Sequence, residues 1–310
     1  MASTFTNPKH PHLTAVANEL SDRIFASSKK AQAEVGKLSD KHRKAMLAEL
    51  KTAKKEIDDQ IKELAILDPK SEARLLRYTA VNKSIDTTMD RVKDSWTTMS
   101  RSQATEAFET GIKGGVLSLK AQEAPGWSKV TIANSKKIAT AALGTIDSAG
   151  LEFLAAYRIE LAGAVADDLK YKIKTSLGQG IIQGKPWYEI NRQLGRVIDD
   201  PKKFREAGTW TKEGLSGKIF PSASDRIRMI VDTENMRAHN NGRLAFYEDV
   251  GMTKARWLTA GDSCQICSAL NNKVFPIEDF PTIPAHPDCD CIVVGESGSE
   301  KIKAPEDYAA

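Results

Sequence analysis

Residues 78–99 read YTAVNKSIDTTMDRVKDSWTTM. Tyr78, Val81, Ile85, Met89, Val92, Trp96 and Met99 recur at three- and four-residue steps, which gathers them on one face of a helix. Upstream, Asp68-Pro69 ends the preceding helix, because proline lacks the amide that would continue it and disfavours helical geometry in the residue before it. Ser71 can cap the next helix. Before that break, Leu47, Leu50, Ile57, Ile61 and Leu64 form a second stripe, with Lys54 in the one slot missing from a heptad seam. Leu13, Val16, Leu20 and Ile24 mark a first helix further back. Two long helices joined at Pro69 form an antiparallel hairpin, either a projecting arm or part of a bundle core.

Downstream, Gly114-Gly115 and Pro125-Gly126 break the pattern, and the main organisational boundary is expected there. Leu154, Leu161, Val165, Leu169, Ile173 and Leu177 mark a further helix punctuated by Gly178 and Gly180. Trp187, Ile190, Leu194 and Val197 follow Pro186 on a short helix. Ser222 or Ser224 can cap the next one, which carries Ile227, Ile230, Val231, Leu244 and Tyr247 and stops at Gly251. Asn240-Asn241-Gly242 are poor helix formers and are expected to kink or split it. Beyond Gly251 the segments Ala255 to Leu258, Lys273 to Phe275 and Cys291 to Val294 have strand composition. The fold class is therefore mainly α (α+β). A helical hairpin or bundle occupies residues 1–115, and a second region spans 125–295 with a small β-rich metal-binding module at 255–294. A polar tail, 296–310, is expected to fray.

The composition is that of an ordinary globular protein: 41% of the 310 residues are hydrophobic and 28% charged. A net charge of +4, from 45 basic against 41 acidic residues, does not by itself imply a nucleic-acid partner. There is no run of 18 apolar residues, so a soluble chain without a membrane partner is expected. The N-terminus lacks the basic flank and apolar run of a secretory signal.

All 4 cysteines, Cys264, Cys267, Cys289 and Cys291, lie in one short C-terminal window. Cys264-Gln265-Ile266-Cys267 is a half-site whose thiols can reach one ion, and His286-Pro287-Asp288-Cys289-Asp290-Cys291 offers three more donors. Thiolate and imidazole favour zinc over magnesium or calcium, which take oxygen. Five candidates for four positions leave one over. The four cysteines are the favoured set, with His286 able to replace Cys289 or Cys291. Disulfides and plain reduced thiols are the alternatives, although a reducing cytosol opposes disulfides during folding. With few aliphatic residues in this region, bound zinc has a structural role, contributing on the order of 10 kcal/mol to folding in small modules.

No catalytic residues are assigned. Hydrolytic zinc needs an open position and a neighbouring base, and none of the 5 histidines begins H-x-E or H-E-x-x-H. Asp262 and Asp288 lie near the cluster, but acids in turns usually cap or face water. Asp232 and Glu234 read as a solvated face or as ion-pair partners of Arg226, Arg228 or Arg237. Lys51, Lys54 and Lys55 are diluted by acidic neighbours. No nucleotide-binding fingerprint is present.

The run from Arg226 to Gly251, containing Thr233-Glu234, resembles the Thr-Glu helix of the Mu F-like phage head-morphogenesis (minor capsid) proteins. It is followed, as in that family, by Trp257, Asp262, Cys264-x-x-Cys267 and His286-Pro-x-Cys289-x-Cys291, while Gly180 to Pro186 matches the family's glycine-bounded turn. Asp290 departs from the family in replacing a basic residue. The resemblance covers roughly residues 145–294 and leaves the helical N-terminal third outside it. It implies a non-enzymatic minor head protein of the virion, bound to the portal protein or the major capsid protein, assisting assembly, packaging or delivery and in reach of packaged DNA. A particle-borne metal-dependent hydrolase or transferase, or a nucleic-acid-binding accessory factor, is the alternative.

Overall fold

A computed structural model describes residues 11–65, 72–146, 149–198, 209–211, 214–216, 222–259, 264–296 and 301–308. The chain is mainly helical with a small C-terminal strand region, as its periodicities require. The elements run α1 (Pro11–Ala65), α2 (Glu72–Ala121), α3 (Ile132–Thr145), α4 (Ala149–Ile182), α5 (Trp187–Ile198), a short hairpin of β1 (Thr209–Thr211) and β2 (Gly214–Ser216), then α6 (Ala223–Asp249). The C-terminal part contains β3 (Lys254–Leu258), α7 (Gln265–Leu270), β4 (Val274–Pro276), β5 (Ile292–Gly295) and a 3-10 turn at Pro305–Tyr308. The stripes starting at Leu13 and Leu47 belong to one continuous helix, α1. The Pro69 joint and its Ser71 cap lie outside the described residues.

Two compact units emerge. One comprises Ser39–Ala104 and Phe153–Glu234. Its core takes Met46, Leu50, Ala53, Ile57 and Ile61 from α1, Val81 to Trp96 from the α2 stripe, Ala162 to Leu177 from α4, and Ile190, Leu194 and Ile198 from α5. Ile227 and Val231 of α6 complete it. Here the hairpin stripes serve a bundle core and not a projecting arm, because three other helices bury them. Ala53, not Lys54, fills the seam slot, which keeps the ammonium at the edge. α1 and α2 run antiparallel: Trp96 Nε1 donates to Met46 O at 3.1 Å, Arg91 pairs with Glu56 at 2.7 Å, and Arg77 pairs with Glu63.

Gly178 and Gly180 do not end α4. A Cβ at Gly180 would lie 2.6 Å from Ile190 Cγ1, so this glycine is the point at which α5 packs on α4. The stop comes at Gly184, whose φ of +62° suits glycine and closes the last turn through Lys185 N→Gly180 O and Gly184 N→Ile181 O. At the start of α6, Ser222 Oγ accepts the Asp225 amide at 3.2 Å, as an N-cap should.

The second unit comprises Met1–Leu38, Thr105–Glu152 and Asn235–Ala310. Gly114 and Gly115, read as a break, lie inside α2. They are there because α6 crosses closely: a Cβ at Gly111 would meet His239 O at 2.0 Å, and one at Gly115 would meet Phe246 at 2.7 Å. Reciprocally, a Cβ at Gly242 would meet Phe108 O at 2.2 Å. Asn240-Asn241-Gly242 therefore do not split α6, and Gly242 serves its close packing on α2. α6 stops at Gly251 (φ +90°) with Met252 N→Tyr247 O and Gly251 N→Glu248 O.

The strands form an antiparallel sheet of order β4-β3-β5, with Trp257 opposite Val293 and Leu258 opposite Ile292. Ile292 and Val294 pack with Ala31 and Val35 of α1 and Met236 of α6. The polar tail is not frayed over 301–308. Lys303 N donates to Val250 O, Trp127 Nε1 donates to Lys303 O, and Tyr308 joins Trp127 and Phe246 in an aromatic cluster while donating to Asp249.

Candidate metal centre

The donors converge from two directions. Cys264 is the N-cap of α7, and its Sγ accepts the Cys267 amide at 3.5 Å, so the first turn of this short helix places both sulfurs on one side. The second group arrives just before β5, where Cys289 and Cys291 flank Asp290. All four cysteines are buried and none is in a disulfide.

His286 sits inside the cluster. Its Nε2 lies 3.2 Å from Cys264 Sγ and 3.2 Å from Cys267 Sγ. Its Nδ1 is 2.8 Å from Pro287 O. A carbonyl only accepts, so that contact assigns the ring proton to Nδ1 and turns the Nε2 lone pair toward the sulfurs, the tautomer a metal-binding imidazole needs. Cys267 Sγ is 3.6 Å from Cys289 Sγ. The donor atoms of Cys264, Cys267 and His286 lie within 4.8 Å of one another, as do those of Cys267, Cys289 and Cys291. Cys267 is common to both trios, and the cluster can hold a metal ion.

The thiols perturb one another. A hydrogen bond from the Cys291 thiol holds Cys289 down at about 5. The same contact pushes Cys291 up, while burial raises Cys267. Cys289 is thus the sulfur most favoured as thiolate, the form that binds a soft metal.

Two residues that the sequence did not single out as functional hold the Cys289-Asp290-Cys291 backbone. Gln32 Nε2 of α1 donates to Asp290 O at 2.7 Å, and Asn240 Nδ2 of α6 donates to Cys291 O at 2.9 Å. The signal for Asn240 was its polarity within an otherwise helical run; nothing in the sequence marked Gln32.

The acidic candidates are placed differently. Asp262 lies outside the described residues. Asp288 is exposed, with a left-handed φ of +61°, in the turn between His286 and Cys289. Asp232 accepts from Arg43 Nη1 at 2.9 Å, while Arg226 pairs with Asp168 and Arg228 with Asp225. Glu234 is buried and, with Asp232, offsets the burial that pulls the Arg158 guanidinium down to about 10. These carboxylates thus stabilise a buried cation.

No protein-family model matches the chain, and no curated protein or solved structure matches it either.

Proposed function

We propose that this chain is a minor head protein of a tailed bacteriophage, a component of the virion that docks on the portal or major capsid protein. The observation that supports this is the ordered set Thr233-Glu234, Trp257, Cys264-x-x-Cys267 and His286-Pro-x-Cys289-x-Cys291, which resembles the Mu F-like head-morphogenesis proteins. Such a role needs no catalytic group. It needs a rigid surface, and a stapled sheet supplies one.

The ion we assign to the cluster is zinc, held by Cys264, Cys267, His286 and Cys289. Three thiolates and an imidazole are a soft, closed donor set that suits zinc and leaves no open position for catalysis. The Cys267–Cys289 separation of 3.6 Å is close to the edge of about 3.8 Å that sulfurs take around tetrahedral zinc. Cys291 then acts as hydrogen-bond donor to Cys289. We favour this set over the four-cysteine arrangement because His286 Nε2 faces both sulfurs of the half-site.

Quantitative mass spectrometry of purified particles tests the reading. The chain should be present at low copy number relative to the portal protein, with matching zinc. Its absence from particles, despite expression in infected cells, would overturn the assignment.

A further inference from the structure

We infer that one face of α5, together with the adjoining edge of α1, is a docking surface for the phosphate backbone of duplex DNA. Tyr188, Arg192 and Arg196 recur at four-residue steps, so they lie along one side of α5, with Lys185 just before its first turn. Tyr188, Arg192 and Arg196 are exposed, while Ile190, Leu194 and Ile198 on the opposite side are in the core. Gly195 brings in a second element: a Cβ there would lie 3.8 Å from Lys54 Nζ. Lys51 is one turn from Lys54 on α1. The lysines of α1 and the arginines of α5 are far apart in sequence and adjacent in the fold.

This face carries a local excess of cations. Several other basic groups of the same unit are matched: Lys93 with Asp167, Lys170 with Asp90, Lys174 with Asp86 and Arg91 with Glu56. The acids that dilute the α1 lysines in sequence are used in the same way, Glu49 and Glu56 by Arg91 and Asp59 by Lys62. Among the described residues, Lys185, Arg192 and Arg196 form no ion pair. Glu189 lies on α5 and Asp58 interacts with Lys54 on α1, two acids against the cations Lys51, Lys54, Lys185, Arg192 and Arg196. Unmatched, exposed cations along a helix, with a tyrosine among them, suit a polyanion whose charges are evenly spaced, because each phosphate contact releases condensed counterions. Arginine adds forked hydrogen bonds to phosphate oxygens. Contacts of this kind carry no base readout, so binding is independent of sequence.

The test uses the full chain and a fluorescently labelled mixed-sequence duplex of about 30 base pairs, titrated across about 50 to 200 mM salt. Wild type should bind with a steep salt dependence. Arg192→Gln with Arg196→Gln should lower affinity about tenfold at the low-salt end and flatten the log–log salt slope by about 2, near 0.9 for each phosphate contact removed. Lys93→Gln, whose cation is already paired, should leave both unchanged. No duplex binding by wild type, or an unchanged slope in the double variant, would overturn the inference. Polyglutamate binding as tightly as duplex would also overturn it, in favour of an acidic protein partner. None of these outcomes bears on the metal cluster or on presence in particles.

Discussion

Asn240 Nδ2 donates to the carbonyl oxygen of Cys291 at 2.9 Å, while its Oδ1 accepts the Val293 amide at 3.0 Å. One side chain in the middle of α6 thus satisfies an acceptor and a donor that a neighbouring strand would otherwise engage. Among the described residues β5 is an edge strand, paired with β3, and its residues are buried. Unpaired buried backbone groups are costly, so the asparagine completes the sheet where the cysteine segment enters it.

Asn240→Ala should therefore destabilise the protein well beyond the loss of one small side chain. Two buried backbone groups lose partners at about 1–3 kcal/mol each, and we expect about 3 kcal/mol in urea denaturation of the metal-loaded protein. Asn240→Asp keeps the acceptor for Val293 and loses the donor to Cys291, so its effect should be intermediate. A loss under about 1 kcal/mol in the alanine variant would show that this pairing does not hold β5.

Metal removal gives a second prediction. Chelation should lower the melting temperature, and zinc should restore it. Cys264→Ser, Cys267→Ser and His286→Gln should abolish stoichiometric zinc binding, whereas Cys291→Ser should retain the ion with affinity reduced about tenfold, as for loss of an outer-shell partner. Metal analysis after dialysis separates the two groups. Equal loss in all four would move Cys291 into the ligand set, and equal melting with and without chelator would remove the metal.

The helical architecture was legible because burial in a bundle leaves a period in the sequence: the Tyr78 to Met99 stripe is the buried face of α2. The strands after Gly251 were legible from composition, and the donor cluster from the spacing of its cysteines. Glycine misled. Gly114, Gly115 and Gly180 read as breaks, yet each lies inside a helix, and at Gly115 and Gly180 another helix crosses too closely for a Cβ, a tertiary demand that local propensity cannot express. The docked tail was hidden for a related reason. Its contacts include hydrogen bonds of the Lys303 backbone with Val250 and the Trp127 side chain, polar contacts of Lys303 and Tyr308 with Asp249, and the Tyr308 ring, and none of them leaves a periodic signature.

The third prediction concerns acid. His239 is fully buried, and burial, followed by the nearby Arg243, holds its imidazole well below the ordinary range. Its folded state resists a proton that the unfolded chain accepts near pH 6.5. Stability from this residue is thus present above about pH 6.5 and is lost as pH falls toward the depressed folded value, by up to about 1.4 kcal/mol per pH unit. Denaturation of wild type and His239→Gln between about pH 7.5 and pH 5 should show a shallower decline in the variant, with metal effects common to both. Parallel pH profiles would exclude His239 as the source.

The crossing of α2 and α6 gives a prediction in which local and tertiary terms have opposite signs. Replacing a mid-helix glycine with alanine ordinarily stabilises by about 0.5–1 kcal/mol, since alanine loses less backbone freedom on folding. At Gly36, where a Cβ would meet nothing within 4 Å, Gly36→Ala should show that gain. At Gly111 and Gly242 the obstacle is backbone, His239 O at 2.0 Å and Phe108 O at 2.2 Å, which cannot rotate away as a side chain can. The helices would have to separate along the crossing, disturbing the neighbouring contacts of Gly114 and Gly115, and overpacking of this kind costs about 1–3 kcal/mol or more. Gly111→Ala and Gly242→Ala should therefore lower the urea midpoint while Gly36→Ala raises it. A gain in all three variants would mean that the helices do not approach this closely in solution.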